Sequence, residues 1–133
     1  MEGCGMWTFS RATYCGAVAI VAWLYATSLS EAADTFRKLS DSEIRSKVSG
    51  MEIDDMEEHW AEQYMRDGSL KVFAMGKLTT GKWRIKNGEL CIEVGPPDSG
   101  CGEVWVSGNN VEFRGEGPRQ GLEGILQRQQ TRK

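Results

Sequence analysis

The chain has 133 residues, with 16 Lys and Arg against 19 Asp and Glu, for a net charge of −3. A length of this order suggests one domain, and a weakly acidic balance leaves no basic footprint for nucleic acid. Four cysteines and a single histidine narrow the site chemistry available to it.

Residues 12–29, ATYCGAVAIVAWLYATSL, carry no charge and follow a segment whose only basic side chain is Arg11. Ser30-Glu31-Ala32 then places small residues three before, and just before, a cut after Ala32. The pattern predicts a secretory signal peptide over residues 1–32. An uncleaved anchor is the alternative, because about 17 apolar residues is the lower limit for spanning a membrane. Removing residues 1–32 takes away Arg11, Glu2 and Glu31, leaving 101 residues with a net charge of about −2. Cys4 and Cys15 leave with the segment, so the single domain of residues 33–133 keeps two cysteines in a compartment where disulfides persist. The expected location is periplasmic or secreted, with membrane contact only if the N-terminal segment stays uncleaved.

Residues 39–50 read as a short helix. Ser40 with Glu43 three positions later is the capping-box pattern, Leu39 and Ile44 can form a hydrophobic staple, and Gly50 suits the position after the C-cap. Ile44 and Val48, with Leu39, are expected to face a sheet. Residues 51–58, MEIDDMEE, are acidic. Carboxylates suit calcium, but the ligand spacing and turn glycine of a known loop are missing, so the stretch reads as a short strand and a solvated turn.

Residues 54–66 admit two readings. Met56, Trp60 and Tyr64 recur at helical spacing, whereas Asp67-Gly68 followed by LKVFAM reads as a hairpin, and the strand reading is favoured. With Asp67-Gly68 as a two-residue loop, Trp60 pairs with Met75, Glu62 with Phe73 and Tyr64 with Lys71, which builds one aromatic face.

The next hairpin is better specified. Asn87-Gly88 suits a type I′ turn, which needs φ > 0 at both central residues. Trp83, Ile85, Leu90 and Ile92 then share one apolar face, and Lys82–Glu93 and Lys86–Glu89 become opposite-charge pairs on the other. A slip of one residue would turn Trp83 and Ile85 outward. In the following strand Val104 and Val106 face the core. Parity then puts Cys101 on the outer side with Cys91, and a Cys91–Cys101 disulfide is expected. Gly108-Asn109-Asn110 turns the chain into a strand bearing Val111 and Phe113, with the exact loop open and Trp105 outside, opposite Glu112 or Arg114. After a Gly- and Pro-containing loop at 115–121, residues 122–127 make a last strand, and 127–133 are expected to fray.

His59 has no cysteine or second histidine to complete a metal site, so no metal and no cofactor is expected. No serine or cysteine of the domain shows a nucleophile motif, so no catalytic residue is assigned. The candidate partner or ligand contacts are the aromatic residues Trp60, Tyr64, Phe73 and Trp105.

The series Glu43-Ile44-Arg45, Gly50-Met51-Glu52-Ile53, His59-Trp60, Asp67-Gly68, Met75-Gly76, residues 81–85 (GKWRI), Glu89-Leu90-Cys91, Cys101, residues 104–108 (VWVSG), Val111-Glu112-Phe113 and residues 124–127 (GILQ) resembles small bacterial secreted or periplasmic β-domains of unknown function. The resemblance spans nearly the whole of 33–133 and implies a fold, not an activity. Gly81-Lys82-Trp83 is similar to the lipocalin Gly-x-Trp, placed mid-chain instead of on the first strand.

The expected fold is mainly β, an antiparallel meander of six to eight strands, curled or barrel-like, with one short N-terminal helix. The favoured function is a non-enzymatic periplasmic or secreted binding or interaction module, with an unknown protein or a small apolar ligand as partner. A lipocalin-like carrier of a small apolar ligand is the alternative, and a hydrolase with an unrecognised site the third reading. A void in the interior would favour the carrier.

Overall fold

A computed structural model describes residues 35–55 and 57–132. The predicted signal peptide, with Cys4 and Cys15, lies outside them. The elements run β1 (Arg37–Lys38), α1 (Asp41–Val48), β2 (Met51–Asp55), β3 (Trp60–Tyr64), β4 (Ser69–Ala74), β5 (Lys77–Lys86), β6 (Glu89–Glu93), β7 (Gly100–Ser107), β8 (Asn110–Arg114) and β9 (Glu123–Arg128). Strands β2 to β9 form a closed antiparallel ring: β2 pairs with β9, β9 with β8, and β8 with β7. The short β1 extends the β6 side of β7, opposite Trp105 and Val106. The eight-stranded barrel with one helix agrees with the fold expected from sequence. Among the described residues no helix is long and apolar enough to cross a membrane.

Closure requires alternate side chains to fill the interior. Ile53, Tyr64, Leu70, Trp83, Leu90, Ile92, Val104, Val106, Val111 and Phe113 do so, and all are buried in one cluster. α1 covers one end of the ring. Its Ser40 cap takes the Glu43 N–H while the Glu43 carboxylate accepts from the Ser40 N–H at 2.9 Å. Ile44 and Val48 enter the core, and Leu39 joins them while its N–H donates to Val104 O at 2.9 Å. Asp41 ties the helix to the ring by accepting from Gly88 N–H at 2.6 Å.

β5 and β6 pair as expected, with Trp83 opposite Ile92 and Ile85 opposite Leu90. β5 is long because it serves two neighbours. A side chain at Gly81 would meet the Glu93 carbonyl at 2.1 Å, so glycine there lets the β6 backbone approach closely. Cys91 and Cys101 lie directly opposite one another and are bonded. Between β7 and β8 the loop is Gly108-Asn109, since Ser107 pairs with Asn110.

Two expectations are corrected. The β3–β4 loop has three residues, Arg66-Asp67-Gly68, because Tyr64 pairs with Leu70 and Trp60 with Ala74. Gly68 takes the left-handed conformation and Asp67 Oδ1 accepts from Ser69 N–H and Oγ at 2.9 and 2.6 Å, which sets a longer turn than a two-residue one. The single aromatic face is therefore split: Trp60 and Tyr64 point inward with Leu70 and Val72, and Phe73 lies on the outer face opposite Ala61.

The acidic stretch forms the expected strand and exposed turn, with Glu57 and Glu58 on the turn, and within the strand Glu52 and Asp54 are buried. The end of the chain does not fray. Arg132 bonds both carboxylates, Gln127 Nε2 donates to Glu52 and Asp54 at 3.0 and 3.1 Å, and Gln129 Nε2 reaches Tyr64 O at 3.4 Å. The polar composition of 127–132 thus matches a polar outer face of β2 instead of water.

Candidate functional site

The end of the barrel opposite α1 is closed differently, by the 115–122 loop between β8 and β9. That loop folds inward because β7 is bare beneath it. A side chain at Gly100 would meet Pro118 at 2.7 Å, and one at Gly102 would crowd Phe113 and Arg119. Phe113 N–H donates to Leu122 O and Gly121 N–H to Phe113 O, both at 2.9 Å, which pins the base of the loop to β8. The fold-back drives Arg119 into the barrel, where only 1% of its surface remains exposed.

Inside, Arg119 meets two side chains of β3. Period-two alternation puts Glu62 and Tyr64 on the same inward face. Arg119 Nη1 and Nη2 donate to the two Glu62 oxygens at 2.9 and 2.7 Å, and Nη2 also donates to Tyr64 Oη at 3.1 Å. The Tyr64 hydroxyl donates in turn to Glu62, and the guanidinium stacks 4.2 Å from the Phe113 ring centroid. A two-pronged, hydrogen-bonded pair is the geometry in which a buried charge is tolerated. Burial, with the Glu62 carboxylate beside it, pushes the Tyr64 phenol well above its ordinary value. Burial by itself would pull the Arg119 guanidinium down, but Tyr64 and Glu62 outweigh it and hold the cation more firmly than usual.

Next to this trio a cavity of about 250 Å³ opens at the rim. Trp60, Val72, Ala74, Ile92, Val94 and Leu122 supply most of its apolar wall, Glu62 and Arg119 its inner polar wall, and Asp98 lies on the lining. Among the described residues two buried side-chain nitrogens have no partner, Trp60 Nε1 and Arg119 Nε, and both belong to side chains that line this cavity.

The four contact residues expected from sequence do not converge. Trp60 lines the cavity and also an outer groove of about 660 Å³ that includes His59, Phe73 and Leu78. Tyr64 is in the core, edge-on to Trp83 with centroids 5.7 Å apart. Phe73 sits in the outer groove, with the Arg132 guanidinium 5.6 Å from its ring centroid. Trp105 lies on β7, on the outer face opposite Glu112, with Arg114 stacked 4.3 Å over it. His59 is an exposed turn residue with φ of 56°, and its carbonyl accepts from Met75 N–H at 3.3 Å. The one grouping of possible metal ligands among the described residues, Glu89 with Cys91 and Cys101, consumes both sulfurs in the disulfide.

Sequence reasoning missed Glu62 and Arg119 as a pair. One signal existed: Gly100 and Gly102 fall on the inward parity of β7, where the absence of side chains leaves room for something from another part of the chain. Scans against protein-family models, curated proteins and solved structures returned no match to this chain.

Proposed function

We propose that the chain is an exported, non-catalytic carrier or receptor that holds a small molecule at the rim of the barrel opposite α1. The observation that carries this reading is the cavity of about 250 Å³ with its apolar wall and the Glu62–Arg119 pair on its lining. Binding sites for small ligands are concave and mostly apolar, with a few placed polar groups, and the mouths of β-barrels are a recurrent location. The polar groups inside, Glu62, Tyr64 and Arg119, are bonded to one another, which suits a rigid binding wall. The disulfide is compatible with an oxidising compartment.

The test uses cumene, an apolar monocycle, on the full chain. Saturable movement of the Trp60 indole N–H resonance is expected, and its loss in Ala74→Leu, which grows into the cavity. No movement at millimolar cumene would reject the reading. A second reading, docking of a protein, is favoured by the exposed Met75 and Leu78, at 83% and 52% of their full surface, on the β4–β5 hairpin beside the outer groove. Its signature would be copurification of a protein from the native envelope that Leu78→Ser releases and Ala74→Leu does not.

A further inference from the structure

Provided that the cavity is a ligand site as proposed above, the charges around its mouth select what enters it. Four connections meet at this end of the barrel: 56–59 between β2 and β3, 75–76 between β4 and β5, 94–99 between β6 and β7, and 115–122 between β8 and β9. They carry Glu57, Glu58, Asp98 and Glu116, all exposed. Their one Lys or Arg is Arg119, which is buried and already paired with Glu62. At the strand ends beside them Glu93 is paired with Arg84 and Arg114 with Glu112, which leaves Lys77 against Asp55 and Glu123. The rim is therefore acidic. A rim of one sign around an apolar cleft raises the local concentration of the opposite charge. Such a field is not directional, so it needs no aimed contact.

One of these carboxylates also belongs to the cavity. Asp98 lies on its lining, and its exposed carboxylate has no hydrogen bond or ion pair among the described residues. The loop beneath it is turned by the Asp98 N–H, which donates to Gly95 O at 3.1 Å. Deeper in, both Glu62 oxygens are taken by Arg119 and the rest of the wall is mostly apolar. A cation on that floor would lose its water with no free carboxylate to receive it. A cation at the mouth keeps most of its water and meets Asp98, whereas an anion there meets repulsion.

Size sets the remaining limit. A dry cavity of roughly 150 Å³ holds benzene, and this one is about 250 Å³. One ring with a short charged substituent fits that scale.

We infer that the cavity takes a small organic amine as its ammonium cation. The apolar body, about one ring in size, lies against Val72, Ile92, Val94 and Leu122, and the charge sits at the mouth beside Asp98.

Benzylamine, benzyl alcohol and benzoate share a ring and a substituent of similar size, and differ in charge. Each is titrated by calorimetry into the full chain at low and high salt, with cumene as the uncharged apolar control. Benzylamine is expected to bind about fivefold more tightly than benzyl alcohol at low salt, the upper range for an exposed ion pair, and benzoate least tightly. In about 1 M salt that advantage is expected to shrink to about twofold or less. Asp98→Asn, on an exposed loop, is expected to shrink it equally at low salt, and Ala74→Leu to remove binding of benzylamine and cumene alike. Equal binding of benzylamine and benzyl alcohol to the unmutated chain, tightest binding by benzoate, or binding of cumene with none of the three would overturn the inference while leaving the carrier reading intact. A preference that survives Asp98→Asn, or benzylamine binding that survives Ala74→Leu, would put the cation on the outer acidic surface and overturn it too. Failure of cumene to bind would reject the carrier reading itself.

Discussion

Arg119 is the residue on which the loop-closed end of the barrel depends. Its ion pair with Glu62 is almost wholly buried, so removing one partner strands the other. Arg119→Met is expected to lower stability by about 3–5 kcal/mol, whereas the triple change Glu62→Leu, Tyr64→Phe and Arg119→Met, which also removes the hydroxyl bonded to the pair, recovers most of that loss, because a buried pair is worth little against apolar groups of similar volume. Urea unfolding of the two variants checks this. Tyr64 adds a pH signature. The fold holds its neutral form, raising its pKa above the ordinary 10.0. The stability it contributes is full below that value and is lost as pH rises from it toward the raised one. In an alkaline titration by phenolate absorbance, one of the chain's three tyrosines is expected to ionise only as the barrel unfolds. None of this was legible in the sequence, since a Gly-Pro-Arg-Gln-Gly loop carries no periodicity and its partner lies 57 residues away.

Elements whose signals are local were legible. The β5–β6 hairpin follows from a turn dipeptide and two faces that agree. The β3–β4 hairpin did not, because Asp67-Gly68 also serves a three-residue loop, and apolar residues on both faces of β4 left the one-residue slip without a visible penalty. The α1 cap was read correctly, and it carries an acid-sensitive prediction. The Ser40 backbone N–H, then Arg37, hold the Glu43 carboxyl down to about 2. Its contribution is fully present above the ordinary value of 4.5 and is lost as pH falls from there through about 2. Ser40→Ala should lower stability by about 0.5–2 kcal/mol, and chemical unfolding at pH 7 and pH 2 should show a smaller gap between variant and parent at the lower pH. The cross-strand Cys91–Cys101 bond closes a short loop, so replacing both with serine is expected to cost about 2–3 kcal/mol on the loop-entropy estimate, while the far-ultraviolet circular dichroism stays that of a β-protein.

At the scale of the whole molecule the ring is held at three places that no single stretch of sequence announces: α1 under one end, the 115–122 loop over the other, and the 127–132 segment laid on the outer face of β2. Each joins residues far apart in the chain, and in each the sequence signal resides in the complementarity of two segments, not in either alone. Arg132 matters because Glu52 and Asp54 need it, although residues 51–58 by themselves read only as a short strand and a solvated turn and name no partner. The β2–β9 seam also dictates an order of assembly. Its members Glu52 and Gln127 are 75 residues apart, so the loop-closure entropy for this seam is met only after the meander between them exists. Until then β2 presents an unpaired edge, a template for pairing with other chains. In refolding from denaturant, pulse-labelled amide exchange is expected to show β5 and β6 protected first and β2 and β9 last, on the millisecond-to-second scale of roughly similar non-local β folds. Simultaneous protection of all four would contradict that order. A chain threaded N-terminus first through a membrane would carry this open edge throughout its passage, which makes the interval before β9 emerges its period of greatest exposure to aggregation and to proteases.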